Sequence, residues 1–119
     1  MNQSTDSRKV ICDNTDNWLK SVSKLNGVIT SLPDWDETEF KSITEWEGWL
    51  VDTVTKILSK LSPDGYAFFY QSDRKYNGIL IDKSYLCNKG ARIAGVPLLW
   101  HKIALKRDIG SIDLFRPTF

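Results

Sequence analysis

Cysteine and histidine are scarce in this chain: Cys12 and Cys87 are the only cysteines, with no C-x-x-C spacing, and His101 is the only histidine. That scarcity excludes a disulfide framework and a cysteine–histidine zinc site, so no metal is expected, and it fits a reducing, intracellular setting. The glycines are scattered as well. No two lie closer than Gly90 and Gly95, so a glycine-rich phosphate loop is absent. Ser31 has no candidate activator, and His101 falls on an alternating apolar stretch where a structural role is expected, which excludes a Ser-His-Asp hydrolase. No apolar run nears the roughly 20 residues that cross a bilayer, and the polar opening from Met1 to Lys9 carries no secretion signal. The expected location is cytoplasmic or nuclear, not secreted and not in a membrane.

What remains is the composition of a soluble α/β domain, with 41% hydrophobic and 26% charged residues in 119. One domain is expected over 9–119, behind a disordered leader over 1–8. The net charge of +1 hides an asymmetry: ten acids face five bases through Val54, and eleven bases face five acids beyond it. A basic half can attract phosphates, although for any one of these residues a solvated helix face or an edge-strand lysine is the more ordinary account.

The chain is organised around Gly27-Val28-Ile29-Thr30-Ser31-Leu32-Pro33-Asp34, a short β-branched run that stops in a proline-containing turn. Such a run reads as a buried parallel strand, and in an open α/β sheet the carboxyl ends of the strands are where ligands bind. The turn offers a hydroxyl at Ser31, main-chain carbonyls beside Pro33, a carboxylate at Asp34 and an indole at Trp35, a set able to hold a flat polar molecule. An ordinary strand-to-loop turn with a surface aspartate is the alternative. Asp34 and Asp36, in a loop with Glu37 and Glu39, read as solvated carboxylates rather than an acid–base pair.

Around this stretch the pattern predicts a strand over 9–12 ending at Asp13, then a helix capped by Asn14-Thr15-Asp16 and carrying Trp18, Leu19, Val22 and Leu25 on one face. A parallel, right-handed strand-helix-strand unit with the strand over 28–30 follows. Ser42-Ile43-Thr44-Glu45 has the spacing of a capping box, and Ile43, Trp46, Leu50, Val54, Ile57, Leu58 and Leu61 form one apolar stripe beyond it, with Trp49 on its shoulder. Ser62-Pro63-Asp64-Gly65 predicts a turn, and 66–70 a third strand too apolar on both faces to be an edge. Arg74-Lys75-Tyr76-Asn77-Gly78 reads as a basic, aromatic loop on the same rim as Ser31. A helix over 81–94 ended by Gly95, a strand over 96–106 and a further strand beginning at Ile112 complete the expected order.

The strand ending at Asp13, the helix with Trp18-Leu19 and the Gly27 to Asp34 block resemble the opening of circularly permuted S-adenosylmethionine-dependent methyltransferases of the DNA amino-methyltransferase type. Within that type the chain is most similar to an uncharacterised eukaryotic group, through Phe68-Phe69-Tyr70-Gln71-Ser72-Asp73, Asp82-Lys83-Ser84-Tyr85-Leu86-Cys87, Leu98-Leu99-Trp100-His101-Lys102-Ile103 and Arg116-Pro117-Thr118-Phe119. Leu32 stands where that motif has its first proline and Asp34 where it has an aromatic. The resemblance implies a three-layer Rossmann-like domain with a mainly parallel sheet. It is incomplete, because the glycine-rich cofactor loop belongs to the later half.

The implied function is methyl transfer from S-adenosylmethionine to a nucleic acid base, RNA favoured. A non-catalytic RNA-binding or protein-assembly module is the alternative. By the resemblance, Ser31, Leu32, Pro33 and Asp34 form the catalytic turn, with Trp35, Tyr70, Arg74 and Lys75 on the substrate and Asp13 near the cofactor. A continuation or partner would supply the cofactor half, and the chain would pair with itself through the region near Phe119.

Overall fold

The computed structural model describes residues 8–104. Its centre is a helix, α2 (Ile43–Ser59), whose start the sequence encodes twice: the Ser42 hydroxyl accepts from the Glu45 backbone N–H at 3.1 Å, and the apolar stripe begins at once. Trp46, Leu50 and Val54 are wholly buried, and Ile57 and Leu58 nearly so. These are the stripe residues that the periodicity picked out.

Two parallel strands, β1 (Leu25–Thr30) and β2 (Leu61–Phe69), are joined by α2, which makes the strand-helix-strand unit of the fold. The unit thus spans 25–69 rather than 9–30. Residues 9–12 form no strand, and Val10 is almost fully exposed, with no neighbouring strand among the described residues to receive its β-branched side chain. The first helix, α1 (Thr15–Leu19), is capped by the Asn14 side chain as its sequence predicts, but it stops well short of Leu25. Leu25 instead pairs with Leu61 and donates its N–H to the Lys60 carbonyl at 2.7 Å, so β1 begins earlier than 28. The predicted turn over 62–65 lies inside β2 as a register shift. Leu25 faces Leu61 while Gly27 faces Tyr66, and the extra residues of β2 bulge between them. A Cβ on Gly65 would stand 2.6 Å from the Asn26 carbonyl oxygen, so the bulge closes against β1 only with glycine there.

The basic loop is a hairpin. β3 (Arg74–Tyr76) and β4 (Ile79–Ile81) pair antiparallel across Asn77 and Gly78, whose φ values of 52° and 80° are those of a type I′ turn. The last helix, α3 (Lys83–Ala94), therefore starts two residues later than 81, capped by Asp82 through the Tyr85 N–H and ended by Gly95 at φ 76°. α3 packs on α2 through Gly90, where an added Cβ would meet the Val51 carbonyl oxygen at 2.8 Å.

Among the described residues α2 packs against β2 and α3 packs against α2, and the three-layer architecture expected from the sequence is not seen. The sheet face turned away from the helices is apolar and open: Ile29 is 84%, Tyr66 62% and Phe68 42% exposed. Among the described residues β2 has β1 as its only partner, so a central position for 66–70 is not seen within them. Residues 96–104 form no strand, and His101 is exposed rather than at a core edge. The remainder of that predicted strand and the strand from Ile112 lie outside the described residues. No described helix is long and apolar enough to cross a membrane.

Candidate functional site

The turn after β1 divides into two parts with different surroundings. Ser31 is exposed, and its carbonyl accepts from the Thr30 hydroxyl at 3.1 Å. Beside it, the Tyr70 N–H donates to the Thr30 carbonyl at 2.9 Å, so the parallel register carries Tyr70 to the same rim with its ring 59% exposed. Gln71, next in the chain, has a shielded amide nitrogen with no hydrogen-bond partner. Leu32 then turns inward and is buried, and the Pro33 carbonyl is taken by the Trp46 indole N–H at 3.0 Å. Of the main-chain carbonyls beside the proline, that one is already occupied.

Asp34 anchors the second part. Its Oδ1 accepts from the Lys83 ammonium and its Oδ2 from Arg74 Nη1 at 3.1 Å, while its N–H donates to the Glu37 carboxylate at 2.9 Å. Arg74 also reaches both carboxylate oxygens of Asp36 at 2.9 Å. The Lys83 N–H is held by Asp73 at 3.0 Å, fixing the start of α3 beneath the turn. Trp35, which opens a single 3-10 turn over Trp35–Glu37, is the platform of this cluster. It meets Trp46 and Tyr76 edge-on at 5.1 and 5.8 Å, with Arg74 at 5.1 Å and Lys83 at 5.8 Å from its ring.

Burial alone would raise the Asp34 pKa, but the hydrogen bonds from Lys83 and then Arg74 outweigh it and hold the carboxyl below its ordinary 3.8. An acid so stabilised as its anion is a poor proton acceptor. Asp34 acts as a latch joining the β1 turn to the hairpin and to α3. Arg74 and Trp35 belong to the same latch. Lys75, on the opposite face of β3 from Arg74, is exposed.

Asp13 stands apart from both. Its Oδ1 accepts from the Asn14 N–H at 2.8 Å and the Asn17 amide at 3.4 Å, local bonds that shape the start of α1. Asp16 accepts from the Trp49 indole at 3.4 Å, within α2, and the other end of α1 is tied to Lys60 before β2. Asp13 lies just before α1, at the end away from Lys60. It lines an open depression of about 300 Å³ with Lys9, Ile11, Thr15 and Trp18. S-adenosylmethionine needs an acceptor for its ribose and a close backbone approach for its methionine end. The depression supplies one partly engaged carboxylate and no glycine, so the described residues do not fit that cofactor by themselves. No set of three or more His, Cys, Asp or Glu among the described residues could hold a metal.

The structure thus brings Ser31 together with Tyr70, and Asp34 and Trp35 together with Arg74. Lys83, Asp36, Asp73, Trp46 and Tyr76 complete the second group without having been singled out as site residues. One signal could have found the arrangement: Asn77-Gly78, the strongest short-range hairpin signal, folds the chain back so that Arg74 faces Ile81, two residues before Lys83. Set against known proteins, the chain matches no family model, no curated protein and no solved structure.

Proposed function

We propose that this domain is the substrate-orienting part of an S-adenosylmethionine-dependent enzyme that methylates a nucleic acid base, RNA in preference to DNA. The cofactor is held by a continuation of the chain or by a partner. The observation that carries the reading is the exposed Ser31 hydroxyl beside the exposed Tyr70 ring, at the carboxyl end of a parallel strand pair. An exocyclic amino group needs an acceptor for its hydrogens and a flat surface against which the extruded base can rest. Ser31 supplies the acceptor and Tyr70 the surface. Lys75 supplies attraction for phosphate. When bound, the cofactor would provide the methyl group.

A non-catalytic RNA-binding module is the second reading, and the latch favours it: the carboxylate of the turn is fully engaged by Lys83 and Arg74. Titration of the full chain with a labelled single-stranded RNA, and separately with S-adenosylmethionine by calorimetry, tests both readings. The expected result is RNA binding that Tyr70→Ala weakens by about 1 to 3 kcal/mol, the worth of one stacked base. No cofactor binding by this chain alone is expected. RNA affinity indifferent to Tyr70→Ala refutes the role of that ring. Tight cofactor binding refutes the division between two halves. Ser31→Ala separates the two readings in the assembled enzyme, since only the catalytic one predicts lost methyl transfer with RNA affinity retained.

A further inference from the structure

The face of the β1 and β2 pair turned away from α2 carries a row of rings. Val28, Ala67 and Phe69 pack against the core, so the alternation of a strand turns Ile29, Tyr66 and Phe68 the other way, and Tyr70 follows one residue beyond β2. All four outward side chains are exposed, and three of them are aromatic. Ile29 stands opposite Phe68, while Tyr66 stands opposite Gly27, which has no side chain to lie against the ring. Further along, the chain brings a fourth ring to the row. Trp100, itself half exposed, lies 5.7 Å from Phe68 between ring centroids with its plane tilted by 51°, and the Lys102 ammonium stands 5.3 Å from the indole centroid.

We propose that this row is a platform for a single-stranded nucleic acid, which lays successive bases on Tyr70, Phe68 and Trp100. The proposal rests on the reading of this domain as one that takes a base at Ser31 and Tyr70, and it extends that site from one base to three. Every base has a flat π-face, so a row of rings holds a strand whatever its sequence. The spacing selects the kind of strand. Rings two residues apart on β2 stand about 6.6 Å apart, about twice the 3.4 Å between the stacked bases of a helical strand, so bases seated on separate rings come from an unstacked single strand and not from a duplex. Charge selects the kind of occupant: the Lys102 ammonium beside Trp100 offers a phosphate its counter-charge, whereas an apolar occupant gains nothing from it.

Fluorescence anisotropy of the full chain with labelled oligouridine of two and of six nucleotides, and with duplex RNA as competitor, tests this. The hexamer should bind at least about tenfold tighter than the dinucleotide, and the duplex should compete at least about tenfold more weakly than the unlabelled hexamer. Phe68→Ala and Trp100→Ala should each weaken hexamer binding by about 5- to 100-fold, while Phe68→Tyr, which keeps the ring, retains it. Both positions lie outside the buried core, so circular dichroism should stay unchanged, and Trp100→Ala serves if Phe68→Ala fails to fold. Lys102→Met should lower the slope of log affinity against log salt by about 0.7, the share of one phosphate on a single strand. Unchanged affinity in both alanine variants while Tyr70→Ala weakens binding overturns the platform and leaves the one-base reading standing. Losses at Phe68 and Trp100 with Tyr70→Ala silent uphold the platform and remove Tyr70 from the proposed site. Duplex bound as tightly as the hexamer overturns the platform. So does a concentration-dependent dimer that Phe68→Ala disrupts, with no oligouridine bound, which assigns the face to a second copy.

Discussion

Asp34→Ala is the substitution on which the latch stands. The Lys83 side chain is 2% exposed and Asp34 is 16% exposed, whereas Arg74 and Asp36 are at 43% and 53%. Removing Asp34 leaves a nearly buried ammonium without its counter-charge, a change that costs about 3 to 5 kcal/mol when the pair is deeply buried. Asp34 retains some contact with water, so the lower end, about 3 kcal/mol, is expected, or roughly 12 °C in Tm at about 4 °C per kcal/mol for a domain of this size. Asp36→Ala removes an exposed partner of the same arginine and should cost about 1 kcal/mol or less. Replacing Asp34 and Lys83 together with Leu and Met removes the stranded charge as well as its partner, so the double variant should lose less than Asp34→Ala alone. Urea unfolding followed by circular dichroism measures all three. Equal costs for Asp34→Ala and Asp36→Ala, within about 0.5 kcal/mol, would refute the reasoning, since burial would then decide nothing.

The same carboxylate predicts a pH dependence. Its folded pKa lies below the ordinary 3.8, so its contribution is complete above that value and is lost as pH falls through the folded pKa. Stability measured from neutral to strongly acidic pH should fall less steeply in Asp34→Asn than in the wild type. Gly90→Ala would press a methyl group to 2.8 Å from the Val51 carbonyl oxygen and 2.9 Å from Val54, and should cost about 1 to 3 kcal/mol in the same unfolding assay by forcing α3 away from α2. Burial pushes the Cys87 thiol up to about 11, so at pH 8 an alkylating reagent should modify the exposed Cys12 and spare Cys87 until urea is added; peptide mass spectrometry distinguishes the two sites.

Long periodic elements with local caps were legible in the chain before folding. α2 and the Asp82 to Gly95 frame of α3 follow from residues that touch their own neighbours, such as Ser42 with Glu45. Leu25 fits the helical spacing of Trp18 and Val22 as well as it fits a strand, and the decision comes from Lys60 and Leu61, far along the chain. Residues 9–12 have strand-forming side chains and no partner strand among the described residues, and propensity without pairing makes no strand. β3 and β4 are only three residues each, too short for alternation to register, although Asn77-Gly78 announced the turn between them. The candidate rim was legible where it depended on strand ends, at Ser31 and Tyr70. The latch was not, because Asp34 finds its cations 40 and 49 residues away, and a carboxylate among acidic neighbours looks solvated until the chain returns.

Lys60 sets the fate of α1. Its ammonium gathers the carbonyl of Leu19, one of the groups a helix leaves unsatisfied where it ends, and that of Val22 just beyond. Five residues make too short a helix to sustain itself in water, so α1 borrows its order from the far end of α2. Neutralising that one amine, by acetylation or as Lys60→Met, would unwind the amino-terminal turn while the central helix kept its fold.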